Sequence, residues 1–272
     1  MSVNLQQMLT EISLLKEKLG SFRPLSPAEA SRLREYFLVE WTHHSTALEG
    51  NTLDLRETRL VLLDGLTVGG KTLREHLEVV DHRDAVERLE NVVKDRLPLS
   101  EGLIREVHRL VLKSTCPEEA GAYRRGAVRI AGSRHVPPPG SDVPALVREM
   151  VETYSTMESE HPVERAAWLH WRLVWVHPFV DGNGRTARLL MNFSLMRDGY
   201  PPAVIRKQDR ERYLEALEAA SLEGNMVPFV QLVAGKVKES LELYLSVAGQ
   251  EPQPDESSRE TQKAKGKSRI RP

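Results

Sequence analysis

The sequence predicts an all-α protein carrying one small β-hairpin. Three observations lead there: apolar residues recur at helical spacing through most of the chain, Gly, Pro or capping residues punctuate those runs, and only one short stretch alternates apolar with polar residues. Leu5, Met8, Leu9, Ile12, Leu15 and Leu19 form the first stripe, broken by Gly20 before Pro24 and Pro27. Good helix formers and a lack of breakers extend a second helix from Pro27 to about Leu48, ending at Glu49-Gly50-Asn51. Further helices are expected over Leu55 to Leu63, Leu73 to Lys94 and Ser100 to Lys113. Between Gly121 and Pro139 the texture changes: Val128 and Ile130 alternate with polar residues and Ala131-Gly132-Ser133 can turn, which reads as the hairpin. Helical periodicity resumes over Val143 to Met157, Val163 to Val176 and Gly184 to Met196, then through two closing helices ending near Val247.

The chain therefore divides into an N-terminal helical region (1–97), a core (98–247) and a polar tail (248–272). In the tail apolar side chains almost vanish, so burial cannot offset the entropy of ordering, and disorder is expected. Lys263, Lys265, Lys267, Arg269 and Arg271 are read as its solvated basic end. Over all 272 residues, 38 basic and 39 acidic side chains nearly cancel, so no strong field is presented to nucleic acid or anionic lipid. Neither partner is expected, and any phosphate must be bound locally. The single cysteine, Cys116, excludes an internal disulfide. No apolar run approaches the roughly 18 to 20 residues of a membrane span, and the N-terminus lacks a leader pattern, so a cytoplasmic location is expected.

The chemistry concentrates between His177 and Arg188. His170 and His177 lie on the apolar stripe of one helix, and Pro178 disfavours helical geometry at His177, which releases that imidazole at the helix end. Phe179 can anchor the turn, and Asp181-Gly182-Asn183-Gly184-Arg185 then enters a helix marked by Leu189, Leu190, Phe193 and Met196. Two glycines at a helix N-terminus let backbone N–H groups approach an anion where the helix dipole favours it, which suits a di- or triphosphate. Arg185 and Arg188, three apart, can reach one phosphate chain. Asp181 is a hard oxygen ligand for Mg²⁺, which takes few protein ligands when it bridges phosphates. An imidazole with a pKa near 6.5 can accept a hydroxyl proton, making His177 the candidate base and a Ser, Thr or Tyr hydroxyl the nucleophile.

Rival readings of these residues fail. A calcium loop beginning at Asp181 would place Arg185 at a ligand position. Gly69-Gly70-Lys71-Thr72 carries the last elements of a Walker loop but has no strand before it. His43, His44, His76, His82 and His170 lack cysteine partners and the His-Glu-x-x-His spacing of zinc sites.

The run His177-Pro178-Phe179-Val180-Asp181-Gly182-Asn183-Gly184-Arg185-Thr186-Ala187-Arg188 resembles the signature of the Fic family at every defining position. The likeness extends through Gly121-x-Tyr123-Arg124, Val128-x-Ile130, His135-x-Pro137-Pro138 and Gly199-Tyr200-Pro201-Pro202. It implies a Fic-type helical bundle with a hairpin flap that transfers AMP from ATP, with Mg²⁺, to an exposed hydroxyl of a protein substrate. By that resemblance His177 is the base and Asp181 holds the metal. Gly182, Asn183, Gly184, Arg185, Thr186, Ala187 and Arg188 line the phosphates, with Arg188 on the γ-phosphate. The flap residues Val128, Arg129 and Ile130 border the nucleotide and align the target by strand-like pairing. Tyr213 and Leu214 fall where a base-contacting aromatic is common, Leu214 and Ser221 departing from the Tyr and Asn of some relatives.

Ser45-x-x-x-Glu49-Gly50-Asn51 resembles the inhibitory helix of Fic proteins that carry their own restraint. The resemblance implies that Ser45, Glu49 and Gly50 belong to it, within a helix at about 27–49, and that Glu49 pairs with Arg188 to block the γ-phosphate. Some such members also remove AMP, and relatives often associate, so a homodimer is an expectation too. The alternatives kept open are a phosphotransferase on the same fold and a nucleotide-binding regulator without transfer.

Overall fold

Helix α1 (Val3–Ser21) buries Leu5, Leu9, Ile12 and Leu19, the stripe its spacing sets out, against α10 (Val227–Ala248). The computed structural model describes residues 3–22 and 24–249; the expected disordered tail lies outside the described residues except for its first two. Helix α2 (Pro27–Ala47) starts where Ser26 and Glu29 close a reciprocal capping box with Pro27 at the first turn. Helix α3 (Leu55–Arg59) widens into a π turn, Leu60–Asp64, that ends at left-handed Gly65. Helix α4 (Leu73–Lys94) begins at a second box, Thr72 with Glu75, and α5 (Glu101–Leu112) at the Ser100 cap. After α6 (Val143–Thr156) come α7 (Pro162–Val176), α8 (Asn183–Arg197) and α9 (Arg210–Glu223).

Helix α8 is buried on every side from Arg185 to Leu195, with α7 against it and α4 and α5 across from them. One apolar cluster joins Leu33, Val79 and Leu89 to Leu103, Leu173 and Phe193, so the core continues across position 97. A second joins Ile12 and Leu19 to Val163, Tyr213 and Phe229. Helix α2 packs along α4 and also meets α8, which carries its C-terminal residues to the beginning of α8.

The expected β-hairpin does not form as a ladder: no strand occurs among the described residues. A turn survives, with Ser133 N–H donating to the Ile130 carbonyl at 3.2 Å. Pro137, Pro138 and Pro139 remove three donors from the returning arm. The arms are joined instead through a side chain, the Arg124 guanidinium donating to the Gly126 carbonyl at 2.8 Å and the Pro138 carbonyl at 2.6 Å. Among the described residues no helix is long and apolar enough to cross a membrane.

Candidate active site

The site begins where α7 stops. His177 caps that helix at φ 49°, a left-handed conformation that a residue with a Cβ adopts only at a cost. Arg124 holds it there, donating from Nε to the His177 carbonyl at 2.7 Å and from Nη2 to the Val176 carbonyl at 3.2 Å, while its backbone N–H meets the Pro178 carbonyl at 2.9 Å. Burial drives the His177 pKa down to about 4, and the Arg124 and His135 side chains push the same way, against the nearby Val174 carbonyl and Glu49. The imidazole is therefore neutral at pH 7. Its Nδ1 is buried without a well-formed hydrogen bond, although the Val174 carbonyl lies close enough to the ring to favour its protonated form.

Phe179 is fully buried and stacks on His108, rings 3.6 Å apart and 3° from parallel. His108 Nδ1 accepts from Gly121 N–H at 2.9 Å, so its Nε2 donates to the Asp181 carbonyl at 2.9 Å and fixes the loop. Asn183 was expected to line phosphate; its side chain turns back instead, accepting from Phe179 N–H at 3.0 Å and donating to the Phe179 carbonyl at 2.9 Å. What Asn183 leaves for an anion is its backbone. Gly182 sits at φ 75°, where a side chain is strained and a Cβ would also meet the His108 ring at 3.3 Å.

Across the mouth of α8, Arg188 is 4% exposed and spends its guanidinium on one cluster. It donates to Glu49 Oε1 at 2.7 Å, to the Ser45 hydroxyl at 3.0 Å and to the Ser45 carbonyl at 2.8 Å. It also reaches the Tyr213 hydroxyl at 3.4 Å, which pairs with His170 Nε2 at 2.9 Å. Burial disfavours the charge on Arg188, but Glu49 and Tyr213 outweigh it and raise its pKa. The Glu49 carboxylate lies over Gly184, where a Cβ would stand 2.3 Å from Oε1. Gly50, at φ 104°, lets the chain turn directly after Glu49.

Arg185, also 4% exposed, reaches Asp181 Oδ1 at 3.4 Å and leaves its Nε buried without a partner; the Thr186 hydroxyl is likewise unpaired. Ala187 faces the core. The unpaired Arg185 and Thr186 donors lie beside the glycine-flanked start of α8, where first-turn N–H groups and the helix dipole favour negative charge. Asp181 is 49% exposed at the rim and takes Gly182 N–H on Oδ1 at 2.6 Å. That carboxylate is a hard oxygen donor, the chemistry an ion such as Mg²⁺ takes from a protein while keeping its waters.

Of the remaining expected residues, Val128 and Ile130 are half-buried and Arg129 exposed on the flap loop, while Leu214 is 43% exposed. Tyr213, expected at the base, has its hydroxyl in the Arg188 cluster. Sequence reasoning gave no role to His108, His135, Glu218 or Arg74, whose guanidinium lies 3.8 Å from Asp181. Their partners are distant in the chain, and only the Arg124 and His135 motifs offered a signal.

Fold and site together define an all-α protein with a glycine-flanked loop at one helix N-terminus, a neutral histidine at the end of the preceding helix and two buried arginines. The profile of the Fic/DOC family matches residues 98–195. A Fic domain containing signaling protein from Bacteroides thetaiotaomicron superposes with TM-score 0.80 at 33% identity, over 89% of this chain and 99% of that one. Fic-1 of C. elegans gives TM-score 0.77 at 35% identity, over 89% of this chain and 71% of that one. The protein adenylyltransferase Fic of Drosophila grimshawi is 38% identical over 258 residues, 93% of this chain and 53% of that protein. The chain belongs to the Fic/DOC family and spans about half the length of the curated relatives it matches.

Proposed function

We propose that this protein transfers AMP from ATP to a hydroxyl side chain of a target protein and is restrained by its own Glu49. The observation that carries this is Arg188, buried at the start of α8 and held by Glu49 and Ser45, with the Arg185–Asp181 pair on the same helix entry and His177 at the end of the helix that leads into it. The curated relatives are protein adenylyltransferases by name, which supports the same reaction class.

Backbone N–H groups from Asn183 to Arg185 and the free Nε of Arg185 hold the phosphates. Asp181 would hold Mg²⁺, and the ion would supply charge neutralisation to the phosphates when bound. His177 is neutral and takes the proton of the attacking hydroxyl as oxygen bonds to the α-phosphorus and the bond to pyrophosphate breaks. Arg188 is committed to Glu49 and Ser45, so a γ-phosphate must displace the carboxylate before it can use that guanidinium.

The test uses two labels. Glu49→Gly protein with ATP labelled at the α-phosphate should mark itself or proteins of a lysate well above the unsubstituted chain, and adding His177→Ala should abolish it. Label retained from the γ-phosphate instead would show a phosphotransferase, and nucleotide binding with neither label retained would show a regulator.

A further inference from the structure

The loop between Arg124 and Pro139 has no ladder to hold it, yet it is fixed at three points. Its two ends are pinned to the C-terminal end of α7. Arg124 binds the Val176 and His177 carbonyls there, and buried His135 binds the Trp175 carbonyl through Nε2 at 2.9 Å. The tip is pinned to a different helix. Glu218, on α9 five residues after Tyr213, accepts the Ser133 hydroxyl at 2.5 Å, the Arg134 backbone N–H at 2.8 Å and Arg134 Nε at 3.1 Å. Ser133 Oγ in turn accepts from His135 N–H at 3.1 Å, linking the tip to the returning arm. The Ser133 hydrogen bond leads in keeping the Glu218 carboxyl below the usual carboxylate range, so the ionised acceptor persists at neutral pH.

We propose that Glu218 is a positioning residue, clasping the tip of the flap loop to α9 so that Val128–Ile130 stand as a preformed edge between the base and the helix that carries Tyr213. Among the described residues Val128 and Arg129 make no backbone hydrogen bond, which leaves their N–H and C=O groups for an incoming strand. An isolated two-stranded hairpin is marginal in water, and one whose returning arm lacks donors is weaker still. Ordering such a loop at the moment of binding would cost affinity, and three charge-assisted bonds from a helix-borne carboxylate remove that cost beforehand. The clasp joins the target-facing loop to the helix whose Tyr213 supports Arg188, so both halves of the site share one support. This role rests on the AMP transfer proposed above, while its geometry does not.

Amide hydrogen exchange on the full chain reads the clasp directly. Glu218→Ala should speed exchange across 126–136 at least about tenfold, with amides of α4 and α8 unchanged. Ser133→Ala, which removes one donor from the loop side without disturbing α9, should give a smaller increase and guards against a misfolded helix variant. In the Glu49→Gly background, Glu218→Ala should cut α-phosphate label on protein at least about fivefold, with Glu218→Gln, which keeps one acceptor oxygen, in between. Unchanged loop exchange overturns the clasp, and so does faster exchange with full labelling. Absence of label even with Glu218 intact would count against AMP transfer alone, since the exchange result still decides the clasp.

Discussion

Replacing Glu49 by Gln separates charge from bulk in the contact that occupies Arg188. The side chain keeps its volume and an acceptor oxygen, but the 2.7 Å contact with a 4% exposed guanidinium loses its charge. A hydrogen bond to a charged group contributes about 1.5–3 kcal/mol. Glu49 is 39% exposed, and solvent screening reduces this to about 1–2 kcal/mol. That shifts the ratio of released to restrained protein about 5–30-fold. Initial rates of α-phosphate labelling should rise by that factor in Glu49→Gln and further in Glu49→Gly, where the obstruction over Gly184 also disappears. The increment for Gln should shrink as salt is added, because half of the pair is screened. A Gln variant as slow as the parent beside a fast Gly variant would refute an electrostatic restraint and leave only a steric one.

Burial holds His82 at a pKa of about 3, His108 and His177 at about 4, and His170 well below its ordinary value. These histidines take up protons on unfolding, so stability is full above pH 6.5 and falls as pH drops toward 4, by up to about 1.4 kcal/mol per pH unit for each histidine; urea melts across that window check it. Transfer by Glu49→Gly protein should accordingly lose its base with an acid limb well below pH 6.5. His177→Gly and His177→Ala should both be inactive, yet Gly should be the more stable by about 1 kcal/mol because the position is left-handed, as thermal melts would show. Arg124→Lys should cost roughly 3 kcal/mol or more, since an ammonium cannot reach four carbonyls at once and would leave some buried without donors.

The helices were legible where the signals are local. Thr72 with Glu75 closes a cap within one turn, and α4 runs from Leu73 to Lys94 as the pattern sets out. Pro178 announces the end of α7, although its left-handed His177 cap also needs Arg124, which comes from 53 residues away. The hairpin was misread because Val128 and Ile130 alternate as a strand would, while the donors that would complete a ladder are missing at Pro137 to Pro139 and are replaced by Arg124 and Glu218. Widening of α3 into a π turn has no periodic signature in five residues. Motif spacing puts Asp181, Arg185 and Arg188 at the entry to one helix, which is α8. It could not tell that Asn183 would close on Phe179 or that Tyr213 would face Arg188, since both depend on which neighbours the packed helices supply.

Placement of one nucleotide decides the matter most directly. A crystal structure of the Glu49→Gly protein with Mg²⁺ and a slowly reacting ATP analogue should show phosphates on the backbone N–H groups at the start of α8, the metal on Asp181 and Arg188 turned from Ser45 toward the terminal phosphate. A nucleotide bound elsewhere, or phosphates at α8 with Arg188 still held by Ser45, would contradict the convergence on which the proposed reaction and its restraint depend.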